Sequence, residues 1–235
     1  SNDKSNINDK DNIRIENSVQ LTSLEIMKEM DIDVKRVNIY IKYDDNFGVS
    51  TTNKYIKGRI QDNKLYIYEV DHSVIEKYEG DLYIFIPFGY IFDEVDIDNN
   101  AGRVEIDGLK TGELSLELGA GKVNMSNIEV YEKMDINGGA GSIKIDNANI
   151  NNLDMDMGAG KTQISGYLKG NNEIDAGVGA LILELFDDDY RISVDKGIGK
   201  ATYNGQDINS NEVYGHGYNN VIIDGGIGSI KISTK

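Results

Sequence analysis

Ten carboxylates recur along this chain at two fixed offsets from a repeated glycine. Asp98, Glu117, Asp156, Asp175, Asp195 and Asp224 stand four residues before it, and Asp96, Asp135, Asp154 and Glu173 stand six before it. The same offsets hold Asn137, Ser115, Ser193 and Ile222 in the remaining repeats. If successive repeats stack like neighbouring strands, about 4.8 Å apart, these side chains form two adjacent ladders of like charge. Such a face attracts cations, and carboxylate oxygens suit calcium. Asp96, Asp98, Asp135, Asp154, Asp156, Asp175 and Asp195 are therefore the calcium candidates. The alternative is a solvated face that resists aggregation. No other cofactor is indicated.

Directly after the glycine the charge reverses, with Arg103, Lys122, Lys161 and Lys200, and with Lys144 and Lys231 two positions further on. These are expected to pair across the glycine corner with the acidic ladders, each exposed pair adding little. The alternative use for them is binding an anionic glycan. A second candidate surface is the insertion 205–220 (GQDINSNEVYGHGYNN) together with Tyr203, two residues before it. Tyr203, Tyr214, His216 and Tyr218 could hold a sugar ring or a partner protein. The same residues could instead cap the open last coil, whose strand edge is otherwise unpaired.

Catalytic patterns are weak. His72 and His216 lie far apart in sequence, and neither G-x-S-x-G nor H-E-x-x-H occurs. The Gly-x-Gly units lack the G-x-G-x-x-G and G-x-x-x-x-G-K-[ST] contexts of nucleotide sites. A unit repeated in every coil is a structural corner. A non-enzymatic role is expected; polysaccharide-degrading enzymes do occur among parallel β-helices, but that is an analogy of fold only.

Composition narrows the classes further. The 235 residues include 40 acidic and 24 basic side chains, a net charge of −16, and no Cys. Disulfides and Cys-ligated metals are thereby excluded. The acidity argues against nucleic acid or an anionic membrane surface as partner, since both need a basic footprint. No apolar run approaches the roughly 18 residues that span a bilayer. Residues 1–11 are polar and aperiodic and are expected to be a disordered leader, with any membrane contact made through an anchor outside this chain.

The elements that must carry the ladders are short strands. The marker glycines are Gly102, Gly121, Gly141, Gly160, Gly179, Gly199 and Gly228, at steps of 19, 20, 19, 19, 20 and 29 residues. A period of this kind marks a solenoid. Apolar residues alternate on both sides of each marker, as in Ile97, Val104 and Ile106 or Ile136, Ile143 and Ile145. The period is two, so each repeat holds two strands around a glycine corner. The sixth residue after the marker is Gly108, Asn127, Asn147, Gly166 or Gly205 in five repeats, a second corner that favours φ > 0. A third side carries Leu109, Ile128, Ala148 and Leu168. The expected fold is all-β: a single-domain β-solenoid of about 20-residue coils. Residues 12–94 form an N-terminal strand-rich segment leading into repeats over 95–235. Leu21–Met30 is the one segment expected to form a short helix.

The order of these features resembles the bacterial DUF4097 family, whose members carry an adhesin label and are related to LiaG-like envelope proteins. The residues that carry the resemblance are Leu65-Tyr66-Ile67-Tyr68, Leu82–Pro87, Val95-Asp96-Ile97, Ala101–Ile106 and the repeats ending in Gly228–Ile232. It implies a β-solenoid displayed outside the cytoplasmic membrane, often behind an N-terminal anchor, and supplies no catalytic residues. The function expected is a cell-surface or envelope module for adhesion or assembly, with an unidentified protein or glycan partner. An accessory or sensory part of an envelope-stress system is the alternative.

Overall fold

A computed structural model describes residues 12–13, 19–20, 27–72 and 80–235, with side chains from Met27 onward. The expected leader lies outside the described residues. Seventeen strands follow in order: β1 (Asn12–Ile13), β2 (Val19–Gln20), β3 (Glu29–Asp44), β4 (Gly48–Thr51), β5 (Ile56–Gln61), β6 (Lys64–Glu69), β7 (Gly80–Pro87) and β8 (Ile91–Asn151). They continue as β9 (Leu153–Lys169), β10 (Asn171–Asp175), β11 (Val178–Leu185), β12 (Tyr190–Asp195), β13 (Ala201–Tyr203), β14 (Gln206–Asp207), β15 (Val213–Tyr214), β16 (Asn219–Asp224) and β17 (Ile227–Thr234). Among the described residues no helix forms. The all-β solenoid is as expected.

The 61 residues of β8 are a path through successive coils, bent at each glycine without losing the ladder. Coils pair in parallel with like positions opposed: Met134↔Leu153, Ile136↔Met155, Gly141↔Gly160 and Ile145↔Ile164. The apolar columns point inward, and Ile97, Val104, Ile136, Ile145, Ile164, Ile174 and Leu183 are all buried in one continuous core. Asn172 occupies an apolar column without leaving an unpaired polar group. Its Nδ2 donates to the carbonyls of Asn220 and Lys169, and its Oδ1 accepts from the Leu153 amide. The second corner is left-handed as expected, at Gly108, Asn127, Asn147, Gly166 and Gly205. There Asn147 donates to Asn127, which donates to Asp107, so the corner builds its own side-chain ladder.

Two expectations change. The described end of the proposed helix is not helical: Glu29 opens β3, and Met30 is paired with Leu65 on one side and Val95 on the other. Residues 21–26 lie outside the described residues. Burying Met30 between two apolar neighbours of the column outweighs its intrinsic helical preference, which is worth only about 0.5 kcal/mol.

The second change concerns order. β3 is itself a coil, pairing with β8 on one side and with β6 and β7 on the other. The later strands β6 and β7 therefore stack outside the earlier β3. The other end mirrors this, because β16 lies between β10 and β12, and β17 between β11 and β13. The last coil in sequence is thus an interior coil, and the stack runs to nine levels among the described residues. Antiparallel segments cover both terminal coils: β5 on β6 and β4 on β7 at one end, β14 on β13 and β15 on β12 at the other. Cover of this kind blunts the terminal edges against edge-to-edge pairing.

Candidate functional site

Three surfaces merit attention. The first is the acidic face, where the register places like residues opposite one another: Asp31↔Asp96 and Asp33↔Asp98 at one end, Asp135↔Asp154, Asp154↔Glu173 and Asp156↔Asp175 in the middle. Asp175↔Asp224↔Asp195 completes the other end. The ladders thus also include Asp31 and Asp33, which the glycine alignment misses. Their signal was present, since Met30-Asp31-Ile32-Asp33 has the pattern of Val95-Asp96-Ile97-Asp98 without the glycine that follows.

The seven calcium candidates share this face but do not converge. Among the described residues, no group of three or more His, Asp or Glu side chains could hold a metal ion. Several carboxylates have local work instead. The Oδ1 atoms of Asp175 and Asp195 accept from the amides of Gly177 and Gly197 at 3.2 Å, closing the turn at the corner. Asp135 sits 3.6 Å from Lys133.

The crowding of like charges shows at Asp98. Burial first, then Glu117, Asp33, Asp96 and Asp31, raise its pKa above the ordinary carboxylate value. Glu94 is raised by burial and by Glu113 and Glu29. A carboxyl whose folded pKa exceeds its unfolded one stabilises the fold below the unfolded value, and that contribution is lost as pH rises through the folded value. Asp98→Asn should therefore raise stability at pH 7 by roughly 0.2–1 kcal/mol, the scale of a like-charge cross-strand pair. The gain should shrink as pH falls into the carboxylate range, which thermal melts at stepped pH would reveal. A lower melting temperature at pH 7 would contradict this account.

The second surface is the insertion. Its hairpin and β15 lie on the terminal coil, and Ile208 is buried there. Tyr203 and Tyr214 are half-buried with ring centroids 5.3 Å apart. The Tyr214 hydroxyl accepts from the Asn209 amide at 2.6 Å. These two rings form the cap. His216 and Tyr218 remain exposed, Tyr218 at 91%. His72 lies at the opposite end of the stack, its Nε2 3.2 Å from Glu69 Oε2 and its ring stacked on Tyr55. The two histidines are not brought together. Beside the insertion, the middle residue of Gly-x-Gly forms an exposed apolar ridge over three consecutive levels, Val178, Ile227 and Ile198.

The third surface follows the glycine corner, and among the described residues the expected pairs with the acidic ladders do not form. Arg103 pairs with Glu105 at 3.3 Å and Lys144 with Asp146 at 3.5 Å, each on its own strand. The corner turns the basic residues and the acidic ladders onto different faces, which keeps them apart. The outward residues instead surround a groove of about 720 Å³ that crosses five coils, from Tyr40 and Lys42 to Lys161 and Gln163. Four inter-coil steps make it about 19 Å long. Its shape follows from side-chain length. Asn124, Ser126 and Ser142 are short and open the middle coils between Lys122 and Lys144, while Tyr40, Lys42, Lys161 and Gln163 stand at the ends.

The groove holds four lysines against three carboxylates, on a chain of net charge −16. The carboxylates are engaged: Glu105 by Arg103, Asp146 by Lys144, and Asp107 by Ser126 and Asn127. Lys122 and Lys161 are exposed, and neither makes an ion pair or side-chain hydrogen bond among the described residues. At one end Tyr40 stacks on Tyr83, centroids 4.9 Å apart and planes 14° off parallel. In register, Tyr83, Tyr40 and Glu105 form one column, so Tyr83 backs Tyr40 on the side away from the groove. Burial, then Asp81 and Glu105, raise the Tyr40 pKa, which keeps its hydroxyl protonated. Sequence reasoning named Lys122, Lys144 and Lys161 but missed Tyr40 and the groove, which exists only when five coils are laid side by side.

No curated protein matches this chain. Among solved structures, a “putative cell adhesion protein” of Clostridium sporogenes aligns at 16% identity over 93% of this chain and 98% of its own, with a TM-score of 0.40. A “putative adhesin” of Bacteroides fragilis aligns at 16% identity over 92% and 95%, TM-score 0.39. One of Parabacteroides distasonis aligns at 15% identity over 93% and 95%, TM-score 0.35. The family model described as Toastrack DUF4097 matches residues 27–212, a span that takes in the coil β3, the groove, most of the acidic face and part of the insertion, and the chain belongs to that family.

Proposed function

We propose that this protein is a non-enzymatic recognition module of the cell surface or envelope, of adhesion type, whose working surface is the groove across five coils. The observation that carries the reading is the groove itself, an open channel of about 720 Å³ on a continuously hydrogen-bonded sheet. A site preformed on so rigid a support loses little ordering entropy when an extended partner binds. Its chemistry suits holding: lysines, amides and hydroxyls line it, with a tyrosine at one end. Family membership supports display outside the cytoplasmic membrane, as the sequence resemblance implies.

Ser142→Trp tests the proposal by filling the middle of the groove from an outward position. The labelled full chain should bind intact bacterial cells or purified cell walls, and the variant should lose that binding while its melting temperature stays within about 2 °C, as for a surface change. Equal binding by a folded Ser142→Trp protein would remove the groove as the working surface.

A further inference from the structure

From the spacing of its free cations, we infer that the groove takes a linear acidic polysaccharide, lying along the stack with its anionic groups on Lys122 and Lys161. This rests on the groove being the working surface. Lys122 and Lys161 occupy the same offset two coils apart, because Gly141, between Gly121 and Gly160, is followed by Ser142. Two inter-coil steps separate them by about 10 Å. Extended straight out from the sheet, the two ammonium groups keep that backbone spacing, which matches charges carried at intervals along a chain better than a single small anion.

The groups between and beside the lysines suit a sugar backbone. Asn124, Ser142 and Gln163 line the groove, and their side chains make no hydrogen bond among the described residues. Amides and hydroxyls both donate and accept, which matches sugar hydroxyls, themselves donors and acceptors. Tyr40, backed by Tyr83, adds an aromatic surface with a protonated hydroxyl at one end. A phosphate-only polymer, which carries acceptors but no donors, would use the lysines and the N–H and O–H donors beside them and leave the amide oxygens and the face of the Tyr40 ring idle. The strong negative charge elsewhere disfavours indiscriminate polyanion binding, since like charges raise the cost of every misplaced contact.

The test is biolayer interferometry on the full chain, with polygalacturonate, alginate, heparin, neutral dextran and inorganic polyphosphate as probes. At least one acidic polysaccharide should bind and dextran should not. That affinity should fall with added salt, because exposed charges are screened over about 8 Å at physiological ionic strength. Lys122→Gln and Lys161→Gln should each weaken it about three- to tenfold, the scale of one ordinary net hydrogen bond. Tyr40→Ala should lower affinity for the polysaccharide and leave any affinity for polyphosphate unchanged. Melting temperatures confirm that each variant is folded. Equal binding of polyphosphate with no effect of Tyr40→Ala overturns the assignment to a sugar polymer. Failure of all three acidic polysaccharides, while Ser142→Trp still abolishes cell or cell-wall binding, overturns the ligand class and leaves the recognition role intact.

Discussion

Gly160→Ala is expected to destabilise the protein by more than about 3 kcal/mol and to lower its melting temperature on the order of 10 °C, a large effect for one methyl group. The position has φ +129°, and an added Cβ would lie 1.6 Å from the carbonyl oxygen of Gly141 in the next coil. Backbone in a conformation unfavourable to L residues costs about 1–2 kcal/mol. The overlap costs more, because the obstacle is backbone rather than a side chain that can swing away. The coils would have to part, breaking ladder hydrogen bonds on both sides of the corner. Gly89→Ala separates the two contributions: Gly89 has φ +84° but nothing within 4 Å of an added Cβ. It should lose only the conformational share, about 2–8 °C. Thermal unfolding followed by circular dichroism decides the matter, and equal shifts for the two variants would show that close packing of the coils is not what demands glycine at Gly160.

Removing residues 219–235 is expected to unfold the region before the deletion. That segment contains β16 and β17, which lie between β10–β11 and β12–β13. Its buried residues Val221, Ile223, Ile230 and Ile232 supply the inner column at that level. Without them β12 and β13 have no coil to stack on, and the insertion that caps them has no edge to cover. In the truncated protein, residues 190–218 should lose amide protection and become sensitive to limited proteolysis, while β8 and β9 keep theirs. Retained protection over 190–203 would mean that the coils stack in sequence order after all.

Much of this arrangement was legible in the sequence. The period of 19 or 20 residues, the buried columns and the left-handed second corner all follow from local rules. Alternation of apolar residues reports strand and inward face, and glycine or asparagine at a fixed offset reports a positive φ. The acidic ladder was legible for the same reason, since a fixed offset on a stacked repeat becomes a column. Met27–Met30 was harder. Four residues without clear alternation carry little strand signal, and what makes β3 a strand is pairing with Leu65 and Val95, far away in the chain.

The cap was half legible. Tyr203 and Tyr214 were candidates for either partner binding or capping, and only their packing on the terminal coil distinguishes them from the exposed His216 and Tyr218. The basic residues after each corner were visible as well, but their pairing was not. Sequence offsets cannot say whether two side chains on either side of a bend face each other, and here the corner sends them to different faces.

By itself, then, the sequence determined the coil: its length, its corners, which side chains point inward, and which charges align. Those properties depend on each repeat's own alternation and on backbone preferences at single positions. The tertiary structure alone decided the order of the coils, with the chain doubling back at both ends, because interchangeable apolar columns accept any neighbouring coil in register. It also decided the groove, since a channel needs the lateral placement of five coils and the difference in reach between Ser142 in the middle and Tyr40 or Lys161 at the ends.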